Sequence, residues 1–458
     1  MVPEEKKRRA QAAEALGGID AADLKESMRL IGEHIRPYRE LLVRSEQRSN
    51  LRAMLVGLTS DLERKSVEPI AVMHGLSRKV LQHFVGGSRW AWEPLMDRLR
   101  HEVTREIGGD GGSLVFDGSS TPKKGTETVG VARQWCGRLG KQDNCVVGVY
   151  AAYVGRDDAA ALVESELFVP EVWTKDEERR QQVYMPPEVT YRTQPKIATD
   201  MLARLAGKLP FTWVLADDEF GRTQAFRDQA RALGKSYVLD VPENTQMRRI
   251  GEDGRLCLKR WEAREIIKTI RSSQWKYFHV RDGEKRPIEV WAAMLTVVTH
   301  REDGSWVPET FVVIETLDRS QRWTCLAHAP PDTPLSEFVR QAGLRHRIEE
   351  VFGEAKGEVG LDHFETRTWQ GWHHHMTLCL IANWFLLREK RRLGKKSPGP
   401  HRQHDPQGDR PAPLPRDAQA ISRHPELPPP PQRGLAQEPL RRTGPGRPAA
   451  TCAERLAS

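Results

Sequence analysis

Three acidic residues are set apart by position. LeuValPheAsp (114 to 117) and TrpValLeuAla (213 to 216) read as short buried strands, and they lead into Asp117 and Asp217. Strand ends in an α/β sheet border the usual ligand crevice, so carboxylates delivered there can converge. The third acid, Glu349, lies in a stretch that reads as one helix from Pro334 to Val359. At about 100° per residue, with Arg345 as zero, Glu349 falls near ~40° and Lys356 near ~20°, on one stripe. Leu344, Ile348, Val351, Phe352, Ala355 and Val359 form the adjoining apolar face, while Glu350, Glu354 and Glu358 fall opposite. The wheel thus separates Glu349 from its neighbours as the glutamate at the edge of the core.

Carboxylates of this kind suit hard divalent cations such as Mg²⁺, with Mn²⁺ as the expected substitute. Three of them could hold two ions about 3.5–4 Å apart. One ion would activate a water or a 3′-hydroxyl, and the other would stabilise the leaving oxygen of a phosphodiester. Arg345 and Lys356 beside Glu349, and Lys123 and Lys124 just after Asp117, would then hold DNA phosphates. The plainer alternative stays open: each aspartate caps a turn or helix, and Arg345–Glu349 is a surface pair worth roughly a few tenths of a kcal/mol.

The elements that must position these groups follow from periodicity. Residues 20 to 105 read as helical, and Val67 to Phe84 fits a helix-turn-helix. There Ile70 and Ala71 pack inward, Gly75 permits the turn, Ser77 caps the second helix, and Leu81 and Phe84 anchor it. Arg78, Lys79, Gln82 and His83 remain exposed, able to meet phosphates and base edges; an ordinary hairpin with a solvated basic face is the other reading. His74 stands where an apolar residue is usual. Strands are expected at 114–117, 128–132, 146–153, 213–216 and 236–241, with helices at 195–205 and 222–233. Further strands are expected at 276–281, 288–298, 309–316 and 322–327, and helices after ProProAspThrPro (330 to 334) to about Arg391. No Walker A loop, GxGxxG or internal repeat is present. The run His373 to His375 is not expected to chelate a metal, because neighbours on a helix diverge by about 100°.

Longer motifs resemble those of bacterial insertion-sequence transposases of the DDE superfamily. They are PheAspGlySerSerThrProLysLysGly (116 to 125), ValGlyValAlaArgGlnTrpCysGlyArgLeuGlyLys (129 to 141) and AspAspGluPheGly (217 to 221). The stretch from Ile348 to Phe364 and ThrTrpGlnGlyTrpHisHisHis (368 to 375) continue the likeness, which runs from about 45 to 396. The resemblance implies Asp117, Asp217 and Glu349 as the D, D and E positions and as metal ligands. Its D-x-x-[YF]-G pattern selects Asp217 over Asp218, and its R-x3-E-x6-K signature is met by Arg345, Glu349 and Lys356. Ala342 replaces the tyrosine often found three residues before that arginine. A tryptophan that stacks on an extruded base is also implied. Trp291, Trp306 and Trp323 are the candidates, although each reads first as a core residue of the β module.

The implied organisation is a multidomain α/β protein with an RNase H-like mixed-sheet core interrupted by an all-β insertion. Residues 1–110 would be a helical DNA-binding domain with the helix-turn-helix at 67–85. Residues 111–241 would form the first part of the core, 242–330 the insertion, 331–393 the core's C-terminal helices, and 394–458 a Pro-rich disordered tail. The implied activity is excision and insertion of a DNA element by a homodimer, on double-stranded terminal repeats and target DNA. A DNA-binding remnant without catalysis and an RNase H-like nuclease without strand transfer are the rivals.

Composition agrees with a soluble, cytoplasmic protein, and the resemblance implies association with the nucleoid. Of the 458 residues, 38% are hydrophobic and 29% charged, and the longest largely apolar run, Leu378 to Leu387, is too short to span a bilayer. The N-terminus lacks the apolar segment of a secretion signal, and six scattered cysteines include no CxxC pair. Residues 394–458 hold 14 of the 30 prolines and 11 Lys+Arg against 6 Asp+Glu. The first 393 residues therefore carry 71−11=60 against 63−6=57, only +3, so overall basicity says little about DNA. The abrupt change after residue 396 reads either as a natural flexible tail or as a slipped reading frame.

Overall fold

A computed structural model describes residues 21–109, 111–250, 254–282, 287–301 and 303–394. The Pro-rich tail lies outside these residues. Five N-terminal helices, α1 (Ala21–Glu40), α2 (Ser45–Leu58), α3 (Val67–Met73), α4 (Arg78–Gly86) and α5 (Glu93–Ile107), precede the first strands. These are β1 (Ser113–Pro122), β2 (Ala132–Cys136), β3 (Lys141–Val154) and β4 (Ala160–Leu167). Then come α6 (Glu171–Thr174), α7 (Glu177–Gln182), α8 (Gln194–Ala206), β5 (Trp213–Ala216), α9 (Asp218–Gly221), α10 (Gln224–Ala232) and β6 (Ser236–Asp240). The next segment holds β7 (Gln246–Arg249), β8 (Trp261–Glu262), α11 (Ala263–Ile267), β9 (Lys276–Asp282), β10 (Pro287–His300), β11 (Trp306–Thr316) and β12 (Arg322–His328). Helices α12 (Leu335–Leu344), α13 (Arg347–Val359) and α14 (Trp369–Gly394) follow.

The strands join in one mixed sheet of order β2-β3-β1-β5-β6-β12-β11-β10-β7-β8, with β4 against β3 and β9 against β10. β1 runs antiparallel to β3 but parallel to β5, and β5 runs parallel to β6. All four residues of β5 are buried, as expected of a parallel strand covered on both faces. β12 pairs antiparallel with β6, so the segment from 242 to 330 extends the core sheet rather than hanging from it, and it contains the short helix α11. Helix α14 is buried along most of its length and packs against β4, α2 and α4. Ile35, Tyr38, Leu51 and Leu55 of the N-terminal helices share one hydrophobic cluster with Phe116, Leu215 and Leu378. The N-terminal segment is thus fused to the core by burial rather than tethered beside it. Among the described residues no helix is long and apolar enough to cross a membrane.

Local expectations differ from the structure at several places. The strand expected at 128–132 begins only at Ala132, because Gly130 adopts φ +76°, a left-handed conformation that ends extended pairing. β4 has no counterpart in the expected order. Its Glu164 looks like a surface residue, yet it is buried because Arg100 of α5 donates to it at 2.6 Å and also bonds the Val163 carbonyl. β1 does not end at Asp117 but continues to Pro122. The single helix expected from 334 to 359 is broken at Arg345–His346, where Ile348 N–H bonds the Arg345 carbonyl and Glu349 N–H the His346 carbonyl in tight i→i+3 fashion.

The two helices expected between 67 and 84 form and are joined by a tight turn. Leu76 N–H bonds the Ala71 carbonyl and Gly75 N–H bonds the Val72 carbonyl, with Gly75 at φ +64°, which is a Schellman close to α3. Ile70, Ala71, Leu81 and Phe84 are buried. Ser77 occupies the N-cap position of α4 but makes no side-chain capping bond. His74 is the C-cap of α3 and half-buried, so it displaces no core residue.

Candidate active site

Pairing register brings the first two acids together. Phe116 pairs with Ala216 across β1 and β5, and Ala216 pairs with Leu239 across β5 and β6. The next residues on these strands are Asp117, Asp217 and Asp240, so three neighbouring strands deliver aspartate at one level. Asp117 lies mid-strand, but it follows the last residue of the parallel pairing with β5, and that is why it faces Asp217. Gly118 N–H donates to Asp117 Oδ1 at 2.6 Å, and Glu219 N–H donates to Asp217 Oδ1 at 3.0 Å, capping α9. Burial and the nearby Asp217 charge push the Asp117 carboxyl up to about 7. Burial and Asp218 likewise raise Asp217. Asp218 itself pairs outward with Arg222 at 2.7 Å, which separates the two adjacent aspartates by geometry.

Asp240 was not singled out from sequence, although TyrValLeuAsp (237 to 240) repeats the apolar-run-then-aspartate signal. It binds Arg345: Nε lies 2.9 Å from Oδ2. Arg345 Nη1 also reaches Glu349 Oε1 at 3.3 Å, and its charge acts on Asp117 and Asp217. Buried Cys325 donates its thiol to Asp240 Oδ1 at 3.2 Å. Glu349 is about half exposed and meets His346 Nδ1 at 3.1 Å through its other oxygen. Its charge is felt by Asp117, but it is turned toward Arg345 and His346. Among the described residues no three acidic, histidine or cysteine side chains stand close enough to grip one ion.

The basic residues divide. Lys356 sits on α13 with its ammonium 5.3 Å from the Phe352 ring centre, its pKa lowered by burial and partly restored by Asp362 and Asp117. Lys123 is occupied: it donates to the Phe364 carbonyl at 2.5 Å and lies 3.4 Å over that ring, and burial pulls it down to about 8. Lys124 is exposed. On α4, Lys79 and Gln82 are exposed, and Arg78 pairs with Glu68 at 3.2 Å on the surface. The three tryptophans are not core residues, because none is fully buried. Trp291 stands edge-on to Tyr277, Trp306 lies beneath Arg248, and Trp323 is 37% exposed. Trp323 lines a cavity of about 270 Å³ with Asp240, Arg345, Glu349 and the small Ala342 and Gly343. The histidine run diverges as expected. His373 bonds the Trp369 carbonyl, His374 lies 2.9 Å from those of Val85 and Trp90 with one N–H to give, and His375 bonds that of Gly360.

Residues 37–256 match a family described as DDE superfamily endonuclease, and residues 192–385 match one described as transposase DDE domain. The two matches overlap, and together they enclose every strand of the sheet and all the acids just described. The chain belongs to the DDE transposase superfamily. It is also 25% identical over 349 residues to a probable transposase for insertion sequence element IS701 from Microchaete diplosiphon, covering 74% of this chain and 82% of that protein. The D-x-x-[YF]-G motif of this DDE transposase has a packing reason. A Cβ on Gly221 would lie 2.0 Å from the Asp240 carbonyl oxygen, so only glycine lets α9 approach β6 and bring Asp217 beside Asp240. Phe220 is fully buried beneath it.

Proposed function

We propose that this chain is a metal-dependent transposase with an RNase H-like core, which cleaves DNA at the terminal inverted repeats of its element and transfers the freed 3′-hydroxyl ends to target DNA. The observation that carries the reading is the pairing of Asp117 with Asp217, two mutually repelling carboxylates with Glu349 within electrostatic reach. This all-oxygen set, four carboxylates against the single guanidinium of Arg345, has the ligand chemistry of a two-ion Mg²⁺ or Mn²⁺ site. When bound, such ions would activate the attacking water or 3′-hydroxyl and stabilise the leaving oxygen. Asp117, Asp217 and Glu349 would hold them. Arg345 balances the acids in their absence, and with Lys356 it supplies positive charge beside the reacting phosphate. Lys124, and Arg78, Lys79 and Gln82 on α4, would hold or read the duplex, with α3–α4 facing the terminal repeats. Lys123 would shape the floor of the site through Phe364 rather than meet phosphate. Trp323, at the mouth of the cavity beside Glu349, is the best placed of the three tryptophans to stack on an extruded base. Bringing two element ends together requires at least a homodimer on DNA, acting in the cytoplasm at the nucleoid.

The match to a family described as endonuclease supports a second reading, a nuclease that cuts without joining. Excision and insertion of a marked element flanked by its native repeats separates the two. Wild type should excise and insert, whereas Asp117→Ala and Glu349→Gln should lose at least about a thousandfold yet still bind the repeats. Cutting without joined product would favour the nuclease. Repeat binding without any cutting by wild type would leave a DNA-binding remnant.

A further inference from the structure

The segment from Gln246 to Lys276, which forms β7, β8 and α11, carries 9 Lys+Arg against 4 Asp+Glu, or +5. Residues 1–393 together carry +3, so without this segment they hold 51 against 53, or −2. The positive charge of that whole stretch is therefore concentrated at one edge of the sheet. Its described acids are engaged within the segment. Glu262 and Glu265 close the N-terminus of α11 as a capping box, and Glu262 also pairs with Arg264. Lys259, Arg260 and Lys268 are exposed.

Indoles organise several of these cations. Lys259 Nζ lies 3.9 Å over Trp261, and Arg248 lies 3.9 Å over Trp306 with Arg260 at 5.5 Å. A cation resting on an aromatic face loses mobility while keeping its charge available. Beside them runs a groove of about 720 Å³ lined by Arg249, Arg271, Trp261, Ser273 and Gln274, against Met294 to Thr296 of β10. Fixed cations with neighbouring hydroxyl and amide donors are what a phosphate backbone requires.

We propose that the β7–β8–α11 edge is a second surface for double-stranded DNA, holding backbone phosphates apart from the acids. β7 begins six residues after Asp240, so its start lies within about 20 Å of that acid at roughly 3.3–3.6 Å per residue. A duplex engaged at the acids would reach that distance within about six base pairs. The inference rests on the reading of this protein as DNA-acting, but not on catalysis.

The test is binding of the full chain to a duplex of unrelated sequence, without divalent metal, across a salt series. Combined Lys259→Ala, Arg260→Ala and Lys268→Ala should weaken binding by about tenfold or more and lower the salt slope by about 2.7, roughly 0.9 per lost phosphate contact. The charge-keeping set Lys259→Arg, Arg260→Lys and Lys268→Arg should restore both. An unchanged affinity and slope in the alanine set overturns the proposal, as does a preference for duplex RNA in competition. Wild type that binds no duplex sinks this proposal and the functional reading together. Wild type that binds with the expected slope yet never cuts sinks only the catalytic reading.

Discussion

Asp240 and Arg345 set the electrostatics of the site. Arg345 is mostly buried and divides its guanidinium between Asp240 and Glu349, with the charges of Asp117 and Asp217 beyond. It is therefore the internal counter-cation of four carboxylates. Truncating Asp240 to alanine strands part of that guanidinium away from water, at a cost of about 1–3 kcal/mol. Asp240→Asn keeps an oxygen acceptor toward Arg345 and should cost less. Urea unfolding midpoints check the order; equal losses, or a larger loss for asparagine, would contradict the role assigned to the Asp240–Arg345 pair.

At the level of elements, the site depends on how closely α9 and α12–α13 approach the sheet. Gly221 packs against the Asp240 carbonyl where no side chain fits. Gly221→Ala must push α9 off β6, and overpacking of this kind costs about 1–3 kcal/mol. A denaturation midpoint equal to wild type would mean that the turn shifts freely and the close approach is dispensable. The break at Arg345–His346 acts differently. It places Glu349 in the first turn of α13, where the helix dipole favours an acid, and coincides with the turn of the Arg345 side chain toward Asp240. The wheel drawn for an unbroken helix still identified the buried face, because both backbone angles at the break stay in the right-handed helical region.

Across the whole molecule, α14 binds the N-terminal helices to the core through buried neutral imidazoles. His374 lies 2.9 Å from the carbonyls of Val85 in α4 and Trp90 beyond it, donates its single N–H to one of them and stacks on Trp90 at 3.6 Å, and His34 of α1 bonds the Ile381 carbonyl. Burial lowers His34, His373, His374 and His375 to about 4 each. Their unfolded values are near 6.5, so between those limits the unfolded chain takes up protons that the folded chain refuses. The contribution of these histidines is therefore complete above about pH 6.5 and is lost as the pH drops toward 4, with a slope of up to about four protons, while Asp117, raised to about 7, opposes it by about one. Unfolding titrations at pH 7.5, 6 and 5 should show this decline. A stability flat across that range would remove these histidines as the acid-sensitive joint. The match of 37–385 to DDE families spans both the helices and the sheet, consistent with their shared core.

Local pattern along the chain identifies which side chains could do chemistry and where most elements lie. Asp117 and Asp217 follow apolar runs, the wheel isolates Glu349, and every strand expected beyond residue 270 is present, because period and apolar content are local properties. The D-x-x-[YF]-G match was legible as a pattern, but its cause was not, since Gly221 meets a carbonyl 19 residues away. Only the tertiary structure decided which charges are neutralised. Glu164 became a buried strand residue through Arg100 of another helix, Lys123 was diverted to Phe364, and Asp240 joined the acids through register with β5. Each outcome depends on a partner distant in sequence. A charged residue looks the same in the chain whether water or a buried counter-charge will solvate it.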